Sequence, residues 1–208
     1  ITGWFTEDFT LAELKTLRAQ ERLPTIRPAN MRFDRMFEIP TFEEVLRLAA
    51  QENARRALTA GQQKGWRPLS VYPETKHPTF FRSIGLPLEE PLVKTLDRYG
   101  YGKPDSAVFI QSFETANLKQ LRGMTRVPIV QLLSATGQPY DFVVSGDPRT
   151  YADLAKPEGL AEIATYANGI GANTALMIPL LADGRLGTPT TLVSDAHKAG
   201  LIVHGWTF

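Results

Sequence analysis

The sequence predicts an α/β fold of the TIM-type (β/α)8 barrel class, incomplete as presented, with about six of the eight strand–helix units present. Three observations carry this expectation. Apolar runs of strand length alternate with helical patterns of roughly 10 to 20 residues, the signature of βαβ units and a parallel sheet. Polar residues gather at the carboxyl ends of those runs, where α/β folds place their chemistry. A closed barrel typically takes about 250 residues, whereas this chain has 208 and stops on the last residue of an apolar strand, Phe208. The chain is therefore expected to be one barrel domain over residues 1–208, a fragment lacking its first two units and cut short at its C-terminus.

The elements follow in order. Thr10-Leu11-Ala12-Glu13 is a capping box that opens a short helix with Leu11, Leu14 and Leu17 on its apolar side. Residues 20–38 carry Pro24, Pro28 and mixed charges and read as a long irregular loop. Thr41-Phe42-Glu43-Glu44 is a second capping box, leading into a helix that runs to about Ala60 and stops at Gly61, before a turn at Gly65-Trp66-Arg67-Pro68. A strand is expected over 69–76, a helix over 87–99, a strand over 107–113 and a helix over 114–122. Val127–Leu133 is the next strand, followed by a polar segment containing Gly146-Asp147-Pro148 and a helix near 158–167. Gly169–Ala172 is a weak strand, with a further one near 177. A helix at about 190–199 leads to a last strand over 200–208.

Composition removes several function classes. With 23 basic and 22 acidic residues, the net charge of +1 offers no electrostatic footprint for nucleic acid or an anionic membrane surface. No apolar run approaches the roughly 20 residues of a membrane helix, so no integral membrane segment is expected. The absence of cysteine excludes disulfides and thiolate metal sites. No Walker motif, zinc spacing or Gly-x-Ser-x-Gly elbow occurs, and Gly169-Ile170-Gly171 lacks the third glycine of a dinucleotide fingerprint.

The stretch Leu69–Pro78 concentrates the remaining chemistry. At a period of two, Ser70, Tyr72, Glu74 and Lys76 share one face and Leu69, Val71 and Thr75 the other. Glu74 and Lys76 thus lie side by side, roughly 7 Å apart along the strand. They form either a strand-end ion pair or the core of a site. Gln111 ends the next strand, Gln131 lies within the following one, and His204 and Trp206 share a face of the last. In a barrel these converge on one mouth. A hard divalent cation takes oxygen ligands such as Glu74, and a lysine beside it suits a phosphate-bearing anion. Structural roles stand beside these: Gln111 as a hydrogen-bonder to a neighbouring loop, Trp206 as core, Gln131 as a buried and satisfied amide. His197 reads as a solvated helix residue, and His77 either lines the mouth or ends the strand.

Five segments resemble the glycerophosphodiester phosphodiesterase family, in its bacterial periplasmic or secreted form. They are Asp8–Leu17, Ile39–Leu46, Tyr72-Pro73-Glu74-Thr75-Lys76, Phe109–Phe113, and Ala196–Leu201 with His204–Phe208. Their order and spacing run through essentially the whole chain. The resemblance implies a (β/α)8 barrel that hydrolyses glycerophosphodiesters to an alcohol and glycerol 3-phosphate with a divalent ion, Ca2+ or Mg2+. It implies that Glu74 is a metal ligand, that Lys76 contacts the phosphate and that Gln111 and Trp206 line the substrate pocket. It also implies a periplasmic or secreted location.

The sequence departs from the family pattern in what it lacks. The His-Arg-Gly strand, the Glu-x-Asp metal pair and the His-Asp motif would all lie before Ile1. His77, His197 and His204 match neither catalytic histidine, so no catalytic residue is expected in these residues and the isolated piece is expected to be inactive. An open barrel would also leave an unpaired strand edge and promote association. Family members usually carry Ile or Leu where Thr75 stands, a change on the face away from the site. Two alternatives stay open: a non-catalytic phosphoglycerol-binding barrel, and a phospholipase-like relative of the same superfamily.

Overall fold

The computed structural model describes residues 2–60 and 67–207, and the chain divides into two units, Ile1–Gln63 and Lys64–Phe208. In the first unit both capping boxes form. Thr10 accepts from the Glu13 amide while the Glu13 carboxylate accepts from the Thr10 amide, opening α1 (Leu11–Leu14). Thr41 and Glu44 repeat the exchange and open α2 (Phe42–Ala60). Lys15 at the end of α1 donates to Glu44 over 2.5 Å, and that ammonium with the Thr41 amide holds the Glu44 carboxyl down to about 2. The 20–38 loop contains a 3-10 turn, Pro28–Phe33, and is closed by Ala19 N–H to Phe37 O and Arg35 N–H to Ala19 O, each at 2.8 Å. The expected stop at Gly61 and the turn at Gly65-Trp66 lie outside the described residues.

The second unit is a parallel sheet with helices packed on it. Its elements are α3 (Pro78–Ser83), α4 (Glu89–Arg98), β1 (Ile110–Ser112), α5 (Thr115–Met124), β2 (Ile129–Leu133), α6 (Tyr140–Ser145), α7 (Tyr151–Leu154), α8 (Pro157–Ile163), β3 (Gly169–Asn173), α9 (Thr174–Met177), α10 (Leu192–Lys198) and β4 (Ile202–Trp206). The strand order is β1-β2-β3-β4, all parallel. One register row runs Gln111, Val130, Gly169, Ile202, and Glu74 bridges to Gln111 at its start.

The 71–75 segment pairs with β1 as two isolated bridges rather than a regular strand, and Pro73 is the reason. Val71 N–H donates to Ala107 O, Phe109 N–H to Val71 O, Gln111 N–H to Pro73 O and Thr75 N–H to Gln111 O. The missing rung is the one that a donor on Pro73 would make to Phe109. Alternation survives: Val71 and Thr75 are buried, whereas Tyr72, Glu74 and Lys76 face open space. The core between sheet and helices is filled by Ile110, Leu118, Leu121, Ile129, Leu133, Leu160, Ile163 and Ile170, each fully buried.

Other elements differ from expectation for local reasons. No strand forms at 177: the Asn173 side chain accepts from the Ala175 amide at 2.9 Å and turns the chain into α9. Pro78, expected to end a strand, also opens α3 at its first position, and His77 before it takes left-handed backbone (φ 53°, ψ 46°). Thr150 and Asp153 make a capping box for α7.

Thr75 carries more than its outward position suggested. Its hydroxyl donates to Asn117 Oδ1 at 2.6 Å, Asn117 Nδ2 donates to Glu89 Oε1 at 2.5 Å, and Arg82 Nη2 donates to Glu89 Oε2 at 2.7 Å. This buried chain ties the carboxyl end of the 71–75 segment to α5, α4 and α3. Beside it, Asp141 from α6 caps α5, its Oδ2 accepting from Thr115 Oγ1 at 2.9 Å and the Ala116 amide at 2.7 Å. Glu114 accepts from the Thr79 amide at 3.0 Å and so holds the first turn of α3. Glu114 Oε1 and Asp141 Oδ1 are buried with no hydrogen-bond partner among the described residues. Burial pushes the Glu114 carboxyl up; the Thr79 amide opposes that shift, the Asp141 charge adds to it and His77 acts against it.

Two outcomes follow from this packing. A Cβ at Gly159 in α8 would stand 2.5 Å from Asp153 O and Leu154 Cα, both backbone atoms that have no room to yield. Gly159→Ala should destabilise the protein by about 1–3 kcal/mol in urea unfolding, outweighing the ~1 kcal/mol of helix propensity it gains. Glu114 has a folded-state pKa above its ordinary 4.5, so its contribution is fully present below that value and is lost as pH rises through the raised one. Glu114→Gln keeps the acceptor for Thr79 and should become progressively more stable than wild type above about pH 4.5. An identical stability gap at pH 4.5 and pH 7.5 would contradict this.

Candidate active site

The sheet of the second unit is curled enough that its outermost segments meet. Tyr72 lies on the segment outside β1 and His204 on β4 at the far edge, yet Tyr72 Oη and His204 Nδ1 are 2.7 Å apart. Phe109 stands edge-on to the same imidazole, with ring centres 5.2 Å apart. The concave face enclosed in this way holds a cavity of about 470 Å3. Tyr72, His204, Leu132 and Gly171 line it together with Gln111, Phe113 and Trp206, and it contains Glu74 and Lys76 as its charged members.

The four residues to which the family resemblance gives roles, Glu74, Lys76, Gln111 and Trp206, all line this one cavity. Glu74 and Lys76 arrive on alternate positions of the 71–76 segment. Gln111, bridged to Glu74, donates from Nε2 to Tyr72 O at 3.3 Å, so it lines the cavity and bonds its neighbour at once. Trp206 is fixed by Nε1–H to Gly171 O at 2.9 Å and by edge-on contact with Phe113 at 5.6 Å. It is a wall of the cavity held by structural contacts. Gln131 points away, donating to Phe113 O and Leu132 O and accepting from Tyr166 Oη at 2.9 Å, a buried and satisfied amide. His197 is exposed on α10, and His77 does not line the cavity.

Further lining residues were within reach of the sequence. Tyr72 and His204 share faces with Glu74 and Trp206 by the period of two. Gly171 matters through what it lacks: a Cβ there would come 2.5 Å from Leu132 Cδ2. Phe113, one residue beyond β1, follows Gln111 by two positions in the strand expected over 107–113 and joins it by the same period. Burial pushes the Tyr72 phenol well above its ordinary value and pulls the His204 imidazole down. The phenol therefore stays protonated and the imidazole neutral at pH 7.

A larger cavity, about 610 Å3, lies among α9, the Leu180–Leu186 bridge and the start of α10. It is lined by Met177, Ile178, Leu180, Leu186 and Val193. The hydroxyls of its two threonines are already spent, Thr174 on Thr207 O and Thr190 on Leu176 O. It has no charged group for an anion, and the smaller cavity has one of each sign.

Comparison with known proteins bears on the family and the fold of the chain. The profile of the glycerophosphoryl diester phosphodiesterase family matches residues 2–208. A glycerophosphodiester phosphodiesterase of Arabidopsis thaliana is 32% identical over 220 residues, covering 100% of this chain and 54% of the relative. One from Haemophilus influenzae is 25% identical over 222 residues, covering 98% and 59%. The chain thus spans little more than half the length of these relatives. Among solved structures, a Silicibacter pomeroyi protein assigned to the glycerophosphoryl diester phosphodiesterases superposes with a TM-score of 0.65 at 17% identity, covering 100% of this chain and 61% of that one. A second, from Agrobacterium tumefaciens, gives 0.51 at 20%, covering 96% and 59%. These structural likenesses bear on the fold: the open parallel sheet belongs to the TIM-type barrel expected from the alternation of strands and helices. With its profile matched over nearly every residue, the chain belongs to the glycerophosphoryl diester phosphodiesterase family.

Proposed function

We propose that the protein hydrolyses glycerophosphodiesters to an alcohol and glycerol 3-phosphate, and that the cavity of the second unit binds the phosphoglycerol part of the substrate. The observation that carries this reading is the convergence of Glu74 and Lys76 with Gln111 and Trp206 on one cavity in a chain of this family. Lys76 supplies a cation for the phosphate oxygens at the cavity's mouth, beside Glu74 and against walls that are otherwise apolar or neutral. Gln111 offers an amide oxygen beside Glu74, and Trp206 with Phe113 forms an apolar wall for the carbon skeleton.

Glu74 is proposed as one oxygen ligand of a divalent cation, Ca2+ or Mg2+, which when bound would neutralise phosphate charge. A hard cation takes about six to eight oxygens. Glu74 is the one carboxylate lining the cavity, and no group of three or more His, Asp or Glu suited to an ion is gathered among the described residues. These residues alone do not fit an ion. The work that falls to them is binding and orientation.

The test is release of glycerol 3-phosphate from glycerophosphocholine by the natural full-length chain, with Ca2+ or Mg2+ and with a chelator. Activity should vanish with the chelator. Lys76→Ala should raise KM about tenfold or more, in line with losing a charge-assisted contact. Glu74→Gln should raise the metal concentration needed for half-maximal rate. A chelator-insensitive rate, or wild-type KM in Lys76→Ala, would overturn the reading. A second reading, a phosphoglycerol-binding protein without turnover, is favoured by the cavity's single imidazole being committed through Nδ1 to Tyr72. Tight binding of glycerol 3-phosphate with no hydrolysis would support it.

A further inference from the structure

We propose that His204, held by Tyr72, is the hydroxyl-recognising residue of the cavity and confers preference for a glycerol skeleton through its Nε2–H. This rests on the phosphoglycerol reading above and names the part of the ligand that the floor of the cavity reads.

The geometry begins with the proton between the two side chains. A phenol is a strong donor and a weak acceptor, whereas an imidazole nitrogen without hydrogen is a strong acceptor. At 2.7 Å, Tyr72 Oη therefore donates to His204 Nδ1, and the neutral ring carries its hydrogen on Nε2. The ring plane is fixed from two sides, by Tyr72 at 86° and 5.5 Å and by Phe109 at 83° and 5.2 Å. Nε2 has no protein partner among the described residues, although the side chain lines the cavity. An oriented donor in a partly buried cavity gains from an oxygen acceptor.

Depth decides which oxygen. Tyr72 precedes Glu74 by two residues and Lys76 by four on the same face, so it lies roughly 7 Å and 13 Å farther from the mouth along the segment. Its partner His204 shares that depth. A phosphate held at Lys76 leaves its two organic arms to divide the remaining space. The leaving alcohol must depart through the mouth, so the arm directed at the floor is the glycerol. Its hydroxyls are the acceptors that His204 Nε2–H meets.

Calorimetric titration of the protein with sn-glycerol 3-phosphate and with propyl phosphate, which has the same skeleton without the two hydroxyls, tests this. Wild type should prefer glycerol 3-phosphate by about five- to tenfold, the span of one or two neutral hydrogen bonds. His204→Asn places its amide where Nδ1 stands and should bring the ratio below about twofold with propyl phosphate affinity unchanged. His204→Gln places an amide N–H where Nε2 stands and should restore most of the preference. Tyr72→Phe frees the ring and should fall between. An unchanged ratio in His204→Asn, or equal weakening of both ligands, would overturn the assignment. Equal affinity of wild type for the two ligands would do so too. Wild type binding neither ligand would instead overturn the phosphoglycerol reading itself, and this assignment with it.

Discussion

The two-residue period of the 71–76 segment is the constraint on which the rest of the second unit depends. One face sends Tyr72, Glu74 and Lys76 into the cavity; the other sends Val71 into the core and Thr75 into a buried chain of hydrogen bonds. A slip of one residue would exchange the faces and empty the site. Pro73 weakens the ladder at that point by withholding a donor, so register is held from outside it. Thr75 Oγ1 is anchored to Asn117, and Ser112 Oγ donates to Thr75 O at 3.0 Å. The polar chain behind the segment stabilises the placement of the charged groups in front of it.

The cavity is graded along its depth. Its rim carries the charges, Glu74 and Lys76; its floor carries a neutral hydrogen-bonded pair, Tyr72 and His204, between aromatic edges. Charged groups at the mouth keep access to water, which spares them the cost of desolvation. Neutral polar groups are the kind that a half-buried floor tolerates when each has a partner. The glycine at 171 contributes by absence, letting Leu132 approach and giving Trp206 a carbonyl to bond.

Much of this was legible in the sequence, and the limits have physical causes. Val127–Leu133 reads as a buried strand because its run of apolar residues matches a position covered on both faces, and β2 lies within it. The four site candidates were found from strand ends and a family likeness, and they share one cavity. What escaped was set by single local bonds. Pro78, expected to end a strand, opens a helix. The Thr150–Asp153 capping box serves a helix of one turn. Asn173, by capping α9, removes the strand expected at 177. The polar network through Thr75 depends on residues 28 and 42 positions away in sequence from Asn117 and could not be read from any window.

The capping of α5 by Asp141 bears on how the second unit assembles. The residue at the start of α5, Glu114, makes no side-chain cap, and the bonds to Thr115 and Ala116 come from a carboxylate 26 and 25 residues farther along the chain. An N-terminus whose donors wait for a distant partner gains little stability until that partner is in place. The helix, the strand after it and the start of α6 are therefore coupled into one cooperative folding step. A nascent chain emerging residue by residue would hold α5 unfinished until β2 had been added and the turn at Pro139 made.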